Sequence, residues 1–112
     1  MTKEEKKQAL KDLGDLPEDV YNEIGQDYLA NGRKLLEKLE AAVNAGNFET
    51  CRFVGHGIKG SSLNMRLTEL SLLGAEIEKA SLAKDAAKIG TLCAEVAAKL
   101  KEAESVFDNL GI

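Results

Sequence analysis

The sequence predicts an all-α protein, an antiparallel four-helix bundle with a short additional N-terminal helix. Three observations carry that expectation. Apolar residues recur at spacings of three and four along most of the chain. The 112 residues include a single Pro and only 4% aromatic side chains, which leaves little of the β-branched and aromatic material that strands favour. Ala, Leu, Glu and Lys, the strong helix formers, are abundant instead. At 44% apolar and 30% charged the chain has the balance of a globular protein. It is long enough to bury one core without a metal or disulfide staple. One domain is expected over residues 1–112, with the short helix at about 3–13 and the bundle at about 17–110.

The elements follow in order. Thr2 stands as a cap before the first, weakly amphipathic helix, which places Leu10 and Leu13 on one side. Gly14 ends it, and Pro17 suits the first position of the next helix, where a missing N–H does no harm. From Pro17 to about Ala45, the residues Val20, Ile24, Tyr28, Leu35, Leu39 and Ala42 mark one face of a helix some 40 Å long, with a kink permitted at Asn31-Gly32. Gly46-Asn47 supplies a stop and a new cap. The third helix, Phe48 to about Leu63, turns Cys51, Val54, Ile58, Ser61, Ser62 and Met65 to one face. The fourth, from about Thr68 to Ala80, carries Leu70, Leu73, Gly74 and Ile77 inward. The last, from about Lys84 to Leu110, alternates Ala86, Ile89, Cys93, Val96, Leu100, Ala103, Phe107 and Leu110.

Charge and composition exclude several functions. A net charge of −4, with no basic tract interleaved with aromatics, is the wrong endowment for binding nucleic acid. No apolar run reaches membrane-spanning length and no signal-peptide pattern opens the chain, so no membrane partner is expected. Cys51 and Cys93 lack metal-ligand spacing and fall on apolar stripes, as buried free thiols do, which fits a cytoplasmic location. The chain has one histidine, which removes most metal and triad chemistry.

That histidine, His56, lies about 200° around the helix from Val54 and Ile58 and about 180° from Met65, so it faces solvent. Lys59 and Gly60 share its face, and Gly55 and Gly57 flank it. Three glycines inside one helix sacrifice about 2–3 kcal/mol relative to alanine. Gly55 borders the core stripe, where a small residue permits close helix approach. Gly60 faces outward, where an absent side chain leaves the ring open to a docked macromolecule. A lone exposed imidazole without an acid, a second nucleophile or a metal cannot run a hydrolytic cycle, but it can carry a phosphoryl group on nitrogen. Lys59 one turn away would offset the negative charge, or it is simply a solvated lysine.

The run His56-Gly57-Ile58-Lys59-Gly60-Ser61-Ser62 resembles the H-x-x-K-G-S/A-S/A signature of histidine-containing phosphotransfer (HPt) domains. Leu67 and Leu70 follow at the family's spacing, Ala45-Gly46-Asn47 is similar to the turn before its histidine helix, and Tyr28 stands where an aromatic is usual. The resemblance implies that His56 is the phospho-accepting residue and Lys59 its positive neighbour, while Gly60 keeps the docking surface clear. Ser61 and Ser62 are read as small core-side residues. It further implies a phosphocarrier of a multistep phosphorelay, without kinase activity of its own. Such a carrier exchanges phosphoryl with response-regulator receiver domains or a histidine kinase. No cofactor or metal is expected on this chain, Mg²⁺ belonging to the receiver, and a monomer is expected. The receiver would dock around His56 on Arg52, Phe53, Lys59, Gly60 and Leu63.

Three positions depart from the family pattern. Arg66 replaces a glycine near the helix end, so a left-handed cap there is expected to be strained or absent. Leu63 replaces a residue that is often glycine and adds apolar surface. Glu78 occupies the place of a Gln that often bonds the imidazole Nδ1, as it does in phosphotransfer domains of chemotaxis kinases. Glu78 either accepts the Nδ1–H and leaves Nε2 as the nucleophile, or is an exposed glutamate paired with a lysine. Two other readings use the same residues: an excised phosphotransfer module of a chemotaxis-type or hybrid kinase, and a helical adaptor that binds receivers without being phosphorylated.

Overall fold

Side-chain caps mark where three of the helices begin. In the computed structural model, which describes residues 1–108, the helices are α1 (Lys3–Asp12), α2 (Glu18–Asn44), α3 (Phe48–Asn64), α4 (Thr68–Leu82) and α5 (Ala86–Ala103). No strand occurs among the described residues. Thr2 and Glu5 form a reciprocal capping box at the start of α1. The Asn47 side chain accepts from Thr50 N–H at the start of α3, and Asp85 accepts from Lys88 N–H at the start of α5. Pro17 is the cap residue of α2 rather than its first helical residue, a shift of one position that leaves its missing N–H equally harmless.

The ends of α2, α3 and α4 are closed by left-handed residues. Gly46 has φ +70°, and Asn47 N–H reaches back to Ala42 C=O at 2.8 Å. The same closure appears after α3, where Arg66 takes φ +61° and Leu67 N–H bonds Ser62 C=O at 2.9 Å. The cap expected to be strained or absent is therefore present, and an arginine bears the unfavourable conformation. Lys84 does likewise after α4, at φ +54°, with Asp85 N–H on Ala80 C=O.

Helices α2 to α5 close a ring in which α2 packs on α3, α3 on α4, α4 on α5 and α5 on α2. The 27 residues of α2 span about 40 Å at 1.5 Å each, which accounts for the 43 Å long axis of the molecule. Fully buried Leu29, Leu39, Ile77, Ile89, Leu92 and Val96 fill the centre. Tyr21 and Phe107 pack ring against ring at 5.3 Å, and the Tyr21 hydroxyl donates to Met65 C=O. Burial pushes the Tyr21 pKa up to about 12, so that hydroxyl remains a donor. Cys51 and Cys93 are buried free thiols, and burial holds both above the usual thiol range, which keeps them unreactive.

Three expectations about these helices need correction. The first half of α2 buries Tyr21, Gly25, Tyr28, Leu29 and Gly32, while Ile24 is 45% exposed and Val20 only half-buried. Glycine is silent in an apolar pattern, yet Gly25 lies under the Phe107 ring, where a Cβ would come within 2.1 Å, and Gly32 faces Leu100. Helix α2 therefore turns its glycines inward to admit large residues from α5 and the segment after it. Second, α5 starts at Ala86 and stops at Ala103, and turns carry the chain on through Phe107. The apolar pattern continues past the helix because Val106 and Phe107 still pack on the core. Third, Ala86 is exposed; Leu110 lies outside the described residues.

Candidate functional site

Helix α3 presents His56 because its neighbours two residues away are committed to the core: Val54 and Ile58 are buried, and the His56 side chain is 68% exposed. Gly60, one turn on, has nothing within 4 Å of where a Cβ would stand. The imidazole is therefore reachable from solvent, with no wall on that side. Gly57 differs, since a Cβ there would make ordinary contact with Leu35 of α2.

Glu78 arrives from α4 and joins the two predicted site residues of α3. Its Oε2 lies 3.4 Å from His56 Nδ1 and its Oε1 lies 2.8 Å from Lys59 Nζ. The carboxylate is one-fifth exposed, the lysine two-fifths. The Lys59 hydrogen bond, working against some desolvation, holds the Glu78 carboxyl below the ordinary carboxylate range, and the His56 bond adds to the effect. A charged carboxylate beside Nδ1 favours the proton on that nitrogen and leaves the Nε2 lone pair toward solvent. Glu78 is paired with a lysine and also faces the imidazole, and it is largely covered rather than exposed.

The remaining predicted residues surround this trio on α3. Phe53 is 60% and Leu63 52% exposed, so both stand on the surface. The Arg52 guanidinium lies over the Phe53 ring at 4.9 Å. The two serines of the motif part company: Ser62 is fully buried and shares a 2.6 Å hydrogen bond with the Tyr28 hydroxyl, while half-buried Ser61 donates to Gly57 C=O in its own helix.

Two residues on α4 went unnoticed as part of the site. Ser71 donates to Lys59 C=O at 3.0 Å, and Gly74 lies against the Lys59 backbone. Their signal was present, since Ser71, Gly74 and Glu78 are spaced by three and four and so share one face of α4. Among the described residues no three His, Cys, Asp or Glu side chains converge to hold a metal. No helix among them is long and apolar enough to cross a membrane. A cavity of about 360 Å³ is lined by Met1, Arg66, Leu67, Lys99 and Val106 among others and includes none of His56, Lys59 and Glu78. The His56 imidazole thus lies on an open surface rather than in a cavity.

Comparison with known proteins agrees with this helical fold. The family model described as Hpt domain matches residues 23–105. No curated protein sequence matches the chain. Among solved structures, the fold is similar to that of histidine-containing phosphotransfer protein B (HptB) from Pseudomonas aeruginosa PAO1, with a TM-score of 0.80 at 23% identity, over 89% of this chain and 87% of that one. An exposed histidine on a helical frame, with the matching family model extending over most of the chain, leads to one conclusion: the chain belongs to the Hpt domain family, the histidine phosphocarriers of phosphorelays.

Proposed function

We propose that His56 is the phospho-accepting residue and that its Nε2 exchanges phosphoryl with an aspartate of receiver domains. The observation that carries this reading is the Glu78 carboxylate placed against Nδ1 of an otherwise open imidazole. In the forward step the Nε2 lone pair attacks the phosphorus of an aspartyl phosphate. The N–P bond forms as the P–O bond to the aspartate breaks, and that electron pair leaves on the aspartate carboxylate. The ring gains positive charge through Nδ1–H, which Glu78 offsets, and Lys59 is within one turn to offset the phosphoryl oxygens. The reverse step returns the phosphoryl by the same route.

Catalytic aspartates and Mg²⁺ belong to the receiver in this scheme, and this chain contributes a nucleophile on a rigid surface. The frame is an antiparallel four-helix bundle with α1 added, forming one domain. The receiver covers Arg52, Phe53, Gly60 and Leu63 around the histidine, and a histidine kinase is the alternative donor. The chain works as a cytoplasmic monomer with no cofactor and no nucleic-acid partner.

Incubation with a phosphorylated receiver, followed by intact mass measurement, tests this reading. The wild type should gain one acid-labile, base-stable phosphoryl group, and His56→Gln should gain none while changing stability by no more than about 0.5 kcal/mol, as exposed positions do. An adduct that persists in His56→Gln would sink the assignment, and a wild type that binds receivers but never gains mass would make the protein an adaptor.

A further inference from the structure

Helices α3 and α4 meet backbone to backbone beside the histidine. A Cβ built on Gly74 would stand 2.4 Å from Lys59 N, 2.7 Å from Gly55 O and 2.8 Å from Lys59 Cα. One built on Gly55 would stand 2.8 Å from Ile77 Cγ2, 2.9 Å from Gly74 O and 3.0 Å from Glu78 N. Most of these obstacles are main chain, which cannot swing aside as the end of a side chain does. Just before Gly74, buried Ser71 adds a hydrogen bond across the seam, from its hydroxyl to Lys59 C=O at 3.0 Å.

The seam touches α3 at Gly55 and Lys59, on either side of His56 in sequence, and Glu78 lies one turn beyond Gly74 on the same face of α4. Glu78 must reach two groups from there. Its 2.8 Å contact to Lys59 has some slack, but the 3.4 Å contact to His56 Nδ1 is already long for a hydrogen bond. A small outward movement of α4 breaks that contact first.

We propose that Gly74 and Ser71 are positioning residues for the phospho-accepting site: the glycine contact and the Ser71–Lys59 bond hold α4 at the separation from which one carboxylate spans His56 Nδ1 and Lys59 Nζ. The inference rests on the reading of His56 given above, and it extends the site from side chains that touch the imidazole to the seam that aims them.

The test reads His56 in the full, unphosphorylated chain through the ¹⁵N shifts of its two ring nitrogens in alkaline buffer, which report the nitrogen that carries the proton. The wild type should show the Nδ1–H form, and Glu78→Ala should move the shifts toward the Nε2–H form. Gly74→Ala should move them in the same direction, Ser71→Ala less far, and Gly90→Ala, in open space on α5, not at all. In the Glu78→Ala background the Gly74 and Ser71 effects should vanish, and transfer from a phosphorylated receiver, several-fold slower in Gly74→Ala, should fall no further there.

Wild-type ring shifts in both Gly74→Ala and Ser71→Ala overturn the proposal. So does a further slowing in the Glu78→Ala background as large as in the wild type, which marks a merely structural effect, or an unmoved ring in Glu78→Ala itself. If Gly74→Ala fails to fold, Ser71→Ala, which loses one oxygen atom, decides alone by the same comparison. A wild type that takes no phosphoryl refutes the function reading but leaves the ring shifts to judge the seam.

Discussion

At the scale of single residues the site combines one open group and one supported group. Gly60 provides the opening. Gly60→Gln should raise stability by up to ~1 kcal/mol through helix propensity and slow transfer from a receiver, because the added side chain stands beside the imidazole. Thermal unfolding and transfer kinetics measured together check this; higher stability with unchanged kinetics would mean that the glycine does not serve docking. Glu78 provides the support, and its depressed pKa gives a signed prediction. A carboxylate whose folded pKa lies below its unfolded value of about 4.3 stabilises the fold above that value and loses the contribution as pH falls through the folded value. Wild type should therefore lose stability on acidification from about pH 4 downward, and Glu78→Gln should lose less over the same window. Urea midpoints measured along that pH range decide it; parallel curves would remove Glu78 from the acid response.

At the scale of the helix, the ends are more diagnostic than the middles. Helix α3 closes with a left-handed Arg66 where a glycine would be unstrained. A non-glycine residue in that region costs about 1–2 kcal/mol, and glycine returns roughly 0.5–1 kcal/mol of this through its more mobile unfolded chain. Arg66→Gly should therefore stabilise by about 0.5–1 kcal/mol, seen as a higher urea midpoint with unchanged slope. A lower midpoint would show that the Arg66 guanidinium, 3.4 Å from Leu63 C=O, outweighs the backbone strain. The equivalent turn after α4 uses Lys84 in the same conformation, and Asp15 after α1 is left-handed too, so the fold bears this strain at several turns while the closures after α3 and α4 are kept.

Over the whole molecule, a chain of net charge −4 presents Arg52 and Lys59 beside exposed Phe53 and Leu63 on the face around His56. In a docked complex, charge steers the encounter and apolar area binds. Lys59→Ala should weaken phosphoryl transfer most at low salt, where exposed charges are least screened. Leu63→Ala should weaken receiver binding at every salt concentration and leave reactivity toward a small phosphodonor nearly intact. Titrations of both variants with a receiver across ionic strength, alongside small-donor kinetics, separate the two effects. Undiminished receiver binding by Leu63→Ala would place the interface elsewhere.

The sequence by itself determined the helices, most of their boundaries, the outward direction of His56 and the motif that marks the family, because each depends on spacing within one helix or on a cap within a few residues. Asn47, Gly46 and the Val54–His56–Ile58 alternation are all of this local kind. Only the tertiary structure decided which face of the first half of α2 turns inward, where a glycine silent in any apolar pattern receives the Phe107 ring from more than eighty residues away. Only the tertiary structure decided, too, that Glu78 reaches both His56 and Lys59, since that depends on how closely α4 lies on α3. That separation is a property of two backbones in contact at Gly55, Lys59 and Gly74. A pattern along one helix carries its faces but not its distance from the next.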